Sequence, residues 1–153
     1  MEYIARLATI QDIDELIDLR LRMQIEVNPG VEVAHNYSEK VREYLERRLE
    51  QSTYVSAVAE ARGKLVSANG LIVYSKIPSI IGGSGKVGYI SNVYTLPEWR
   101  GRGIASALMK LIVSYSRTHG LEKLHLGATD SGKGVYEGVD FKPPRYVQLE
   151  LRL

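Results

Sequence analysis

The sequence predicts an α/β domain on a mixed sheet, with antiparallel N-terminal strands leading into a central parallel β-α-β unit. Three observations carry this. Residues 86–95 are rich in β-branched and aromatic side chains and read as a strand. They run through Pro97 and an Arg100-Gly101-Arg102-Gly103 turn into apolar residues at Ile104, Ala107, Leu108, Leu111, Ile112 and Tyr115, which is helical spacing. Gly120 closes that helix, and Leu121 to Leu126 reads as a second strand, so strand, helix and strand form one right-handed parallel crossover. Earlier in the chain, two strand-like runs, 53–60 and 65–75, flank Ala61-Arg62-Gly63-Lys64 and predict an antiparallel hairpin.

The remaining elements follow in order. Tyr3 to Ala8 alternates weakly and reads as a first strand. Thr9-Ile10-Gln11-Asp12 has the capping-box pattern, a hydroxyl with an acid three residues on. The helix it opens buries Ile13, Leu16, Ile17 and Leu21 and ends near Val27, before Asn28-Pro29-Gly30. After a loop over 31–37, Ser38 is the expected cap of a second helix with Val41, Tyr44, Leu45 and Leu49 on one face. Residues 76–85, with Pro78 and three glycines, read as a flexible hairpin loop, and a short helix is expected over 133–137. At the end of the sequence, Val147, Leu149, Leu151 and Leu153 alternate with Gln148, Glu150 and Arg152, which predicts a half-buried last strand. The predicted order is βααβββαβαβ in a single domain over 1–153.

Composition narrows the function classes. With 153 residues, 44% hydrophobic and 25% charged, the chain suits one soluble globular domain. A net charge of +2 with no basic run argues against nucleic acid as a partner. Without cysteine there is no disulfide framework, thiolate metal site or cysteine nucleophile. His35, His119 and His125 are scattered, no His/Asp/Glu cluster has ligand spacing, and no metal is expected. His119 at a helix end reads as a dipole partner, and His125 as a packing or surface residue. No apolar stretch reaches the ~20 residues of a membrane span, so a cytoplasmic location is the default expectation.

The chemistry concentrates at 93–106. A glycine turn with two arginines ahead of a helix offers free N–H groups and the positive end of the helix dipole, which together suit a phosphate or pyrophosphate. A second anion motif competes with it. Gly127-Ala128-Thr129-Asp130-Ser131-Gly132-Lys133 matches Gly-x-x-x-x-Gly-Lys, but Gly134 stands where a magnesium-holding Ser or Thr is needed, and too little chain follows to supply a Walker-B aspartate.

Arg100-x-x-Gly103-x-Ala105, after a strand and Pro97, resembles the acetyl-CoA signature of the GNAT acetyltransferases, Gln/Arg-x-x-Gly-x-Gly/Ala. Downstream, Val135-Tyr136-Glu137-Gly138-Val139-Asp140-Phe141 is similar to that family's Leu-Tyr-Glu-x-x-Gly-Phe segment, with Asp140 in place of glycine. The element order resembles the GNAT fold over roughly the whole chain. The resemblance implies acetyl-CoA as cosubstrate, its pantetheine arm along Val93, Tyr94 and Thr95, and its pyrophosphate on Arg100, Gly101, Arg102, Gly103, Ile104, Ala105 and Ser106. It implies Tyr136 as the acid for the leaving thiolate. Thr129, seven residues before Tyr136, stands where many members have an asparagine contacting the pantetheine arm.

The implied activity is N-acetyl transfer by direct attack of a primary amine on the thioester, the acceptor being a small molecule or a peptide. Family members commonly shape the acceptor pocket with the first two helices and their connection, here Met23 to Tyr37, with Glu26, Glu32, His35 and Tyr37 as polar candidates. No general base stands out: the strand Tyr89 to Tyr94 carries no carboxylate, which leaves ordered water or a residue of another strand such as Glu60. The alternative class is a non-catalytic module binding acyl-CoA or a nucleotide. A second copy of the chain, as a homodimer, is compatible with either.

Overall fold

In the computed structural model, which describes residues 2–153, the chain forms one open six-stranded sheet with helices on both faces. Strand β1 (Ile4–Leu7) precedes a 3-10 turn (Ile10–Asp12) and helices α1 (Ile13–Val27) and α2 (Tyr37–Glu50). Strands β2 (Tyr54–Val55), β3 (Ala57–Ala61), β4 (Lys64–Ser75) and β5 (Lys86–Thr95) follow, then α3 (Ile104–Thr118), β6 (Lys123–Leu126) and α4 (Lys133–Glu137). The sheet runs β1-β3-β4-β5-β6, with β2 also on β4, and all pairings are antiparallel except β5 with β6. This is the mixed α/β architecture the sequence predicts.

The expected run 53–60 is broken once, at Ser56, where side chains replace the ladder. Ser56 Oγ donates to the Asn69 carbonyl (2.5 Å), and the Ala57 N–H donates to Asn69 Oδ1 (3.0 Å). The capping box is present, the Thr9 N–H donating to Asp12 Oδ2 (2.7 Å) and the Gln11 N–H to Thr9 Oγ1 (3.3 Å). Helix α2 begins at Tyr37 with Asn36 as its N-cap, whose carbonyl accepts from the Lys40 N–H (3.1 Å), so Ser38 lies inside the helix rather than capping it. The Asn36 side chain makes no cap hydrogen bond either, so the N-terminus of α2 has no side-chain cap.

Two apolar clusters, one on each face, hold the sheet. Ile104, Leu108, Met109 and Ile112 of α3 cover Ala57, Ala59, Val66, Leu71 and Ile90. On the other face, Ile13, Leu16, Ile17 and Leu19 of α1, with Leu45 of α2, cover Tyr54, Val58, Leu65 and Ala68. Leu19 takes the buried place expected of Leu21, which is only half-buried.

The predicted last strand is the main correction. Residues 147–153 form no strand, and Val147, Leu149, Leu151 and Leu153 are 82–113% exposed. Their alternation is real, but a strand needs an edge to pair with, and within this chain the segment makes no such pairing. The observed order therefore ends βαβα rather than βαβαβ.

Candidate active site

Two interruptions of the sheet create the site. The first is in β5. Ala68 pairs with Tyr94 and Gly70 with Ser91, so Asn92 and Val93 together oppose Asn69 alone. This is a β-bulge, which bends the strand and re-aims its side chains. Asn92 adopts φ 56°, a left-handed conformation that asparagine tolerates better than most residues. Its side chain is fixed from two sides, Nδ2 donating to the Tyr54 hydroxyl (3.0 Å) and Oδ1 accepting from Arg20 of α1. Gly70 makes room for this, because a Cβ there would stand 2.1 Å from the Tyr54 hydroxyl oxygen.

The second interruption is the shortness of β6. Its pairing with β5 ends at Ile90–Leu126, so residues 91–95 have β4 on one side and an open edge on the other. The Tyr94 carbonyl accepts from Ser67 Oγ (2.9 Å) and the Leu96 N–H donates to Val66 (2.9 Å), both toward β4. By alternation, the backbone of Val93 and Thr95 turns to the open edge.

The resulting cleft, about 1380 Å³, lies between the α1–α2 layer, the 91–95 edge and the start of α3. Val93, Tyr94, Thr95, Arg100, Gly101, Gly103, Ile104, Ala105, Ser106, Thr129 and Tyr136 all line it. Arg102 does not: its guanidinium lies 5.1 Å from the centre of the buried Trp99 ring and donates to the Glu98 carbonyl (3.1 Å).

At one end of the cleft, Gly101 and Gly103 both have φ 74°, a conformation that costs any other L-residue, and this brings the chain into α3 without side chains over the helix end. The first α3 bond runs from the Ala107 N–H to Gly103 (3.0 Å), which leaves the N–H groups of Ile104, Ala105 and Ser106 without a partner in the helix. Backbone donors and the dipole end thus meet in the cleft wall, a fit for a pyrophosphate. Arg100 does not simply point there. Its Nη2 pairs with Glu26 (2.8 Å), its Nε donates to the Thr95 carbonyl (2.9 Å), and the Tyr94 hydroxyl also donates to Glu26 (3.0 Å). Arg100, then Tyr94, hold the Glu26 carboxyl below its usual pKa.

Tyr136 is 9% exposed, on α4, with its ring edge-on to Phe141 at 6.2 Å. Burial raises its pKa above the usual phenol value, which keeps it a proton donor at neutral pH. Asp140 has φ 68°, which accounts for the glycine usual at this position in the resembling pattern: the turn after α4 is left-handed here too. The Thr129 hydroxyl accepts from the Gly132 N–H (3.2 Å), so it closes the 129–132 turn ahead of α4 as well as lining the cleft.

The other candidates divide between the cleft and its surroundings. Glu60, a candidate base, pairs with Arg6 (2.8 Å) on β1 and does not line the cleft. Glu32 and His35 are exposed outside it, whereas Met23, Glu26 and Tyr37 line it. Lys133, of the P-loop-like segment, also lies outside, 3.9 Å from Glu137. Arg20 and Asn92 were missed by the sequence reading. Arg20 follows Leu16 by four residues and Ile17 by three, so it sits on the inward stripe of α1, where a cation calls for a partner.

A mixed sheet opened at a bulge beside a bare helix N-terminus makes a long cleft suited to an extended, phosphate-bearing ligand. The sequence profile of the acetyltransferase (GNAT) family matches residues 14–137, and the chain belongs to that family. Among solved structures it is similar to a predicted acetyltransferase of Clostridium acetobutylicum crystallised with acetyl-CoA, at 25% identity and TM-score 0.85, covering 97% of this chain and 96% of that one. It is also similar to a GCN5-related N-acetyltransferase of Ralstonia eutropha JMP134, at 26% identity and TM-score 0.81, covering 98% and 99%. Glucosamine-6-phosphate N-acetyltransferase of Arabidopsis thaliana shares the fold at 19% identity and TM-score 0.75, covering 99% of each chain. No curated protein sequence matches.

Proposed function

We propose that the chain is an acetyl-CoA-dependent N-acetyltransferase acting on a primary amine by direct attack. The observation that carries this is the continuity of one cleft from the bare α3 N-terminus, along the open edge of Val93 to Thr95, to Tyr136. Acetyl-CoA, when bound, supplies the thioester carbonyl. The N–H groups of Ile104, Ala105 and Ser106 and the glycine turn hold its pyrophosphate, and the Val93–Thr95 edge orients its pantetheine arm as an added strand. The same edge has backbone N–H to offer where negative charge develops on the carbonyl oxygen. Tyr136 holds a proton at its hydroxyl for the leaving thiolate, and burial, by raising its pKa, keeps that proton in place until negative charge develops on the sulfur.

The acceptor enters from the α1–α2 side, past Met23, Tyr37, Tyr44 and Tyr89. Glu26 is the one carboxylate lining the cleft among the described residues, and its bond to Arg100 makes it a weak base. The enzyme therefore uses the neutral fraction of the amine, its proton leaving through water.

The test is CoA release, read by thiol titration, over a panel of amino acids, polyamines, amino sugars and N-terminal peptides. Turnover is expected with at least one, with kcat/KM rising with pH toward the acceptor amine's own pKa. CoA binding with no turnover on any amine supports the binding-module alternative instead. A kcat/KM that levels off well below the amine's pKa identifies a protein base and refutes the water route.

A further inference from the structure

Helix α1 carries four carboxylates, and each is committed. Asp14 accepts from Arg42, Glu15 accepts from the Leu65 N–H (2.7 Å), Asp18 pairs with Arg22 (2.8 Å) and Glu26 with Arg100 (2.8 Å). Arg20, on the same helix, makes no ion pair among the described residues. It is half-buried and lines the cleft, and its one hydrogen bond runs from Nη1 to the neutral side-chain oxygen of Asn92. A structural arginine in this fold looks different: Arg6, also partly buried, is held by both Asp12 and Glu60, each at 2.8 Å. A cation withdrawn from water costs free energy unless an anion meets it, and Asn92 uses only one of the guanidinium's N–H donors. The cleft as a whole shows the same imbalance. Arg100 neutralises Glu26, which leaves Arg20 and the exposed Lys40 of α2 as uncompensated charges in its lining, among the described residues.

The bulge fixes the place of Arg20. Asn92 is held between Arg20 and the Tyr54 hydroxyl (3.0 Å), and it directly precedes Val93, where the edge proposed to orient the cofactor begins. Tyr44 stands edge-on to Tyr54 at 5.9 Å, Ile72 is the strand partner of Tyr54, and Met23 follows Arg20 by one turn of α1. All of them line the cleft, so its wall beside the guanidinium is apolar and aromatic.

We propose, on the basis of the acetyl transfer inferred above, that Arg20 binds the carboxylate of the acceptor, and that the acceptor is a free α-amino acid with an apolar or aromatic side chain. A carboxylate supplies the counter-charge that α1 withholds, and the planar guanidinium can take it through two parallel N–H···O bonds. In an α-amino acid a single carbon separates carboxylate from amine. An amine anchored in this way beside Asn92 stands at the start of the Val93 edge, where the thioester is proposed to lie. A polyamine has no anion for Arg20, and a peptide N-terminus has its carboxylate far from its amine. The positive field of Arg20 and Lys40 also disfavours an ammonium, which raises the fraction of neutral amine that direct attack needs.

The test measures transfer and binding separately. With acetyl-CoA saturating, L-phenylalanine, L-leucine and L-methionine are compared with their carboxamides, which keep the amine and lose the anion, at equal concentrations of neutral amine. The acids are expected to exceed the amides in kcat/KM by ~30-fold or more, the scale of one charge-assisted pair. Arg20→Met is expected to erase most of that ratio by raising KM for the acids, and Arg20→Lys to keep part of it, with CoA affinity unchanged in both. An arginine that only positions Asn92 would lower kcat on acid and amide alike and leave the ratio intact, which overturns the assignment. So would a loss of CoA affinity in either variant, since the guanidinium would then serve a phosphate of the cofactor. The acid-to-amide ratio of the parent protein decides the matter even if neither variant folds. Calorimetry of the same amino acids against the CoA-saturated protein needs no turnover. Carboxylate-dependent binding without transfer to any amine supports the site and refutes the transfer. Transfer confined to polyamines, phosphorylated amino sugars or peptides keeps the transfer and overturns the site.

Discussion

Replacing Gly103 separates backbone strain from anion binding, two contributions that meet at one residue. In Gly103→Ala the added Cβ touches nothing within 4 Å, so packing is unchanged and the cost comes from φ 74° alone. That conformation costs an L-residue ~1–2 kcal/mol, partly offset by the smaller entropy of the unfolded alanine chain, which leaves about 1 kcal/mol. For a domain of this size, that corresponds to a fall in Tm of ~2–4 °C. Gly103→Asp carries no more strain than the alanine, since aspartate tolerates a left-handed backbone better, and adds a negative charge beside the N–H groups proposed to hold a pyrophosphate. Two unit charges ~5 Å apart at an effective dielectric of ~20 repel by about 3 kcal/mol, and screening at physiological salt reduces this to ~2 kcal/mol. Calorimetry should then show CoA bound at least ~30-fold more weakly by Gly103→Asp than by Gly103→Ala. The gap should narrow at high salt, and the affinity for pantetheine, which lacks the pyrophosphate, should be equal in both. CoA binding by folded Gly103→Asp as tight as by the alanine variant would remove the pyrophosphate from the α3 N-terminus.

Three further expectations follow from single side chains. Tyr136→Phe removes one oxygen and keeps the ring against Phe141; kcat should fall ~100-fold with CoA affinity unchanged, and an undiminished kcat on the identified acceptor would make Tyr136 a packing residue. Asp12 is buried with its carboxylate on Arg6, which, ahead of the Thr9 backbone, holds its pKa below the usual value. Its folded pKa being lowered, it stabilises the protein fully above pH ~4 and progressively less as pH falls below that. Asp12→Asn should therefore be less stable than the parent by ~1–3 kcal/mol at pH 7, with the difference in denaturant midpoints shrinking toward pH 3; a difference independent of pH would show that the charge is not the cause. Asp140→Gly should raise stability by ~0.5–1 kcal/mol in urea unfolding, because φ 68° suits glycine, and a loss of stability would mean that the Asp140 side chain makes an interaction of its own.

The fold was legible where local chemistry and tertiary context agreed. Thr9 and Asp12 cap a helix by short-range bonds, and the glycines at 101 and 103 are needed whatever surrounds them, so the sequence alone locates both. It was misread where a pattern states a requirement but not the partner that meets it. The alternation of 147–153 asks for a strand partner and an apolar face to cover, and nothing in those residues says what would provide them. The cap of α2 was misplaced for a related reason. Ser38 and Asn36 are equally good caps by type, and the choice falls to the backbone: it already turns into the helix at Asn36, whose carbonyl takes the first helix bond.

The cleft was legible in part for the same reason, and the part that was not shows what a linear motif leaves out. The glycine turn and Tyr136 stand out in the sequence because the role proposed for each rests on its own backbone or its own hydroxyl. Asn92 and Arg20 act through geometry that exists only after folding: a bulge appears when one strand carries an extra residue relative to its neighbour, and strand β5 by itself does not show the register of β4. Arg20 bonds to a residue 72 positions away, so its helical stripe marks it as anomalous without naming its partner. Arg100 reverses the pattern. The motif assigns it to phosphate, yet its guanidinium is committed to Glu26 and the Thr95 carbonyl, contacts that tie the end of α1 to the cleft edge. A pyrophosphate at the α3 N-terminus must compete with a carboxylate for this arginine, whereas the N–H groups of Ile104, Ala105 and Ser106 have no competitor in the helix. The backbone of the turn, more than its arginines, is what suits this end of the cleft to the pyrophosphate proposed there.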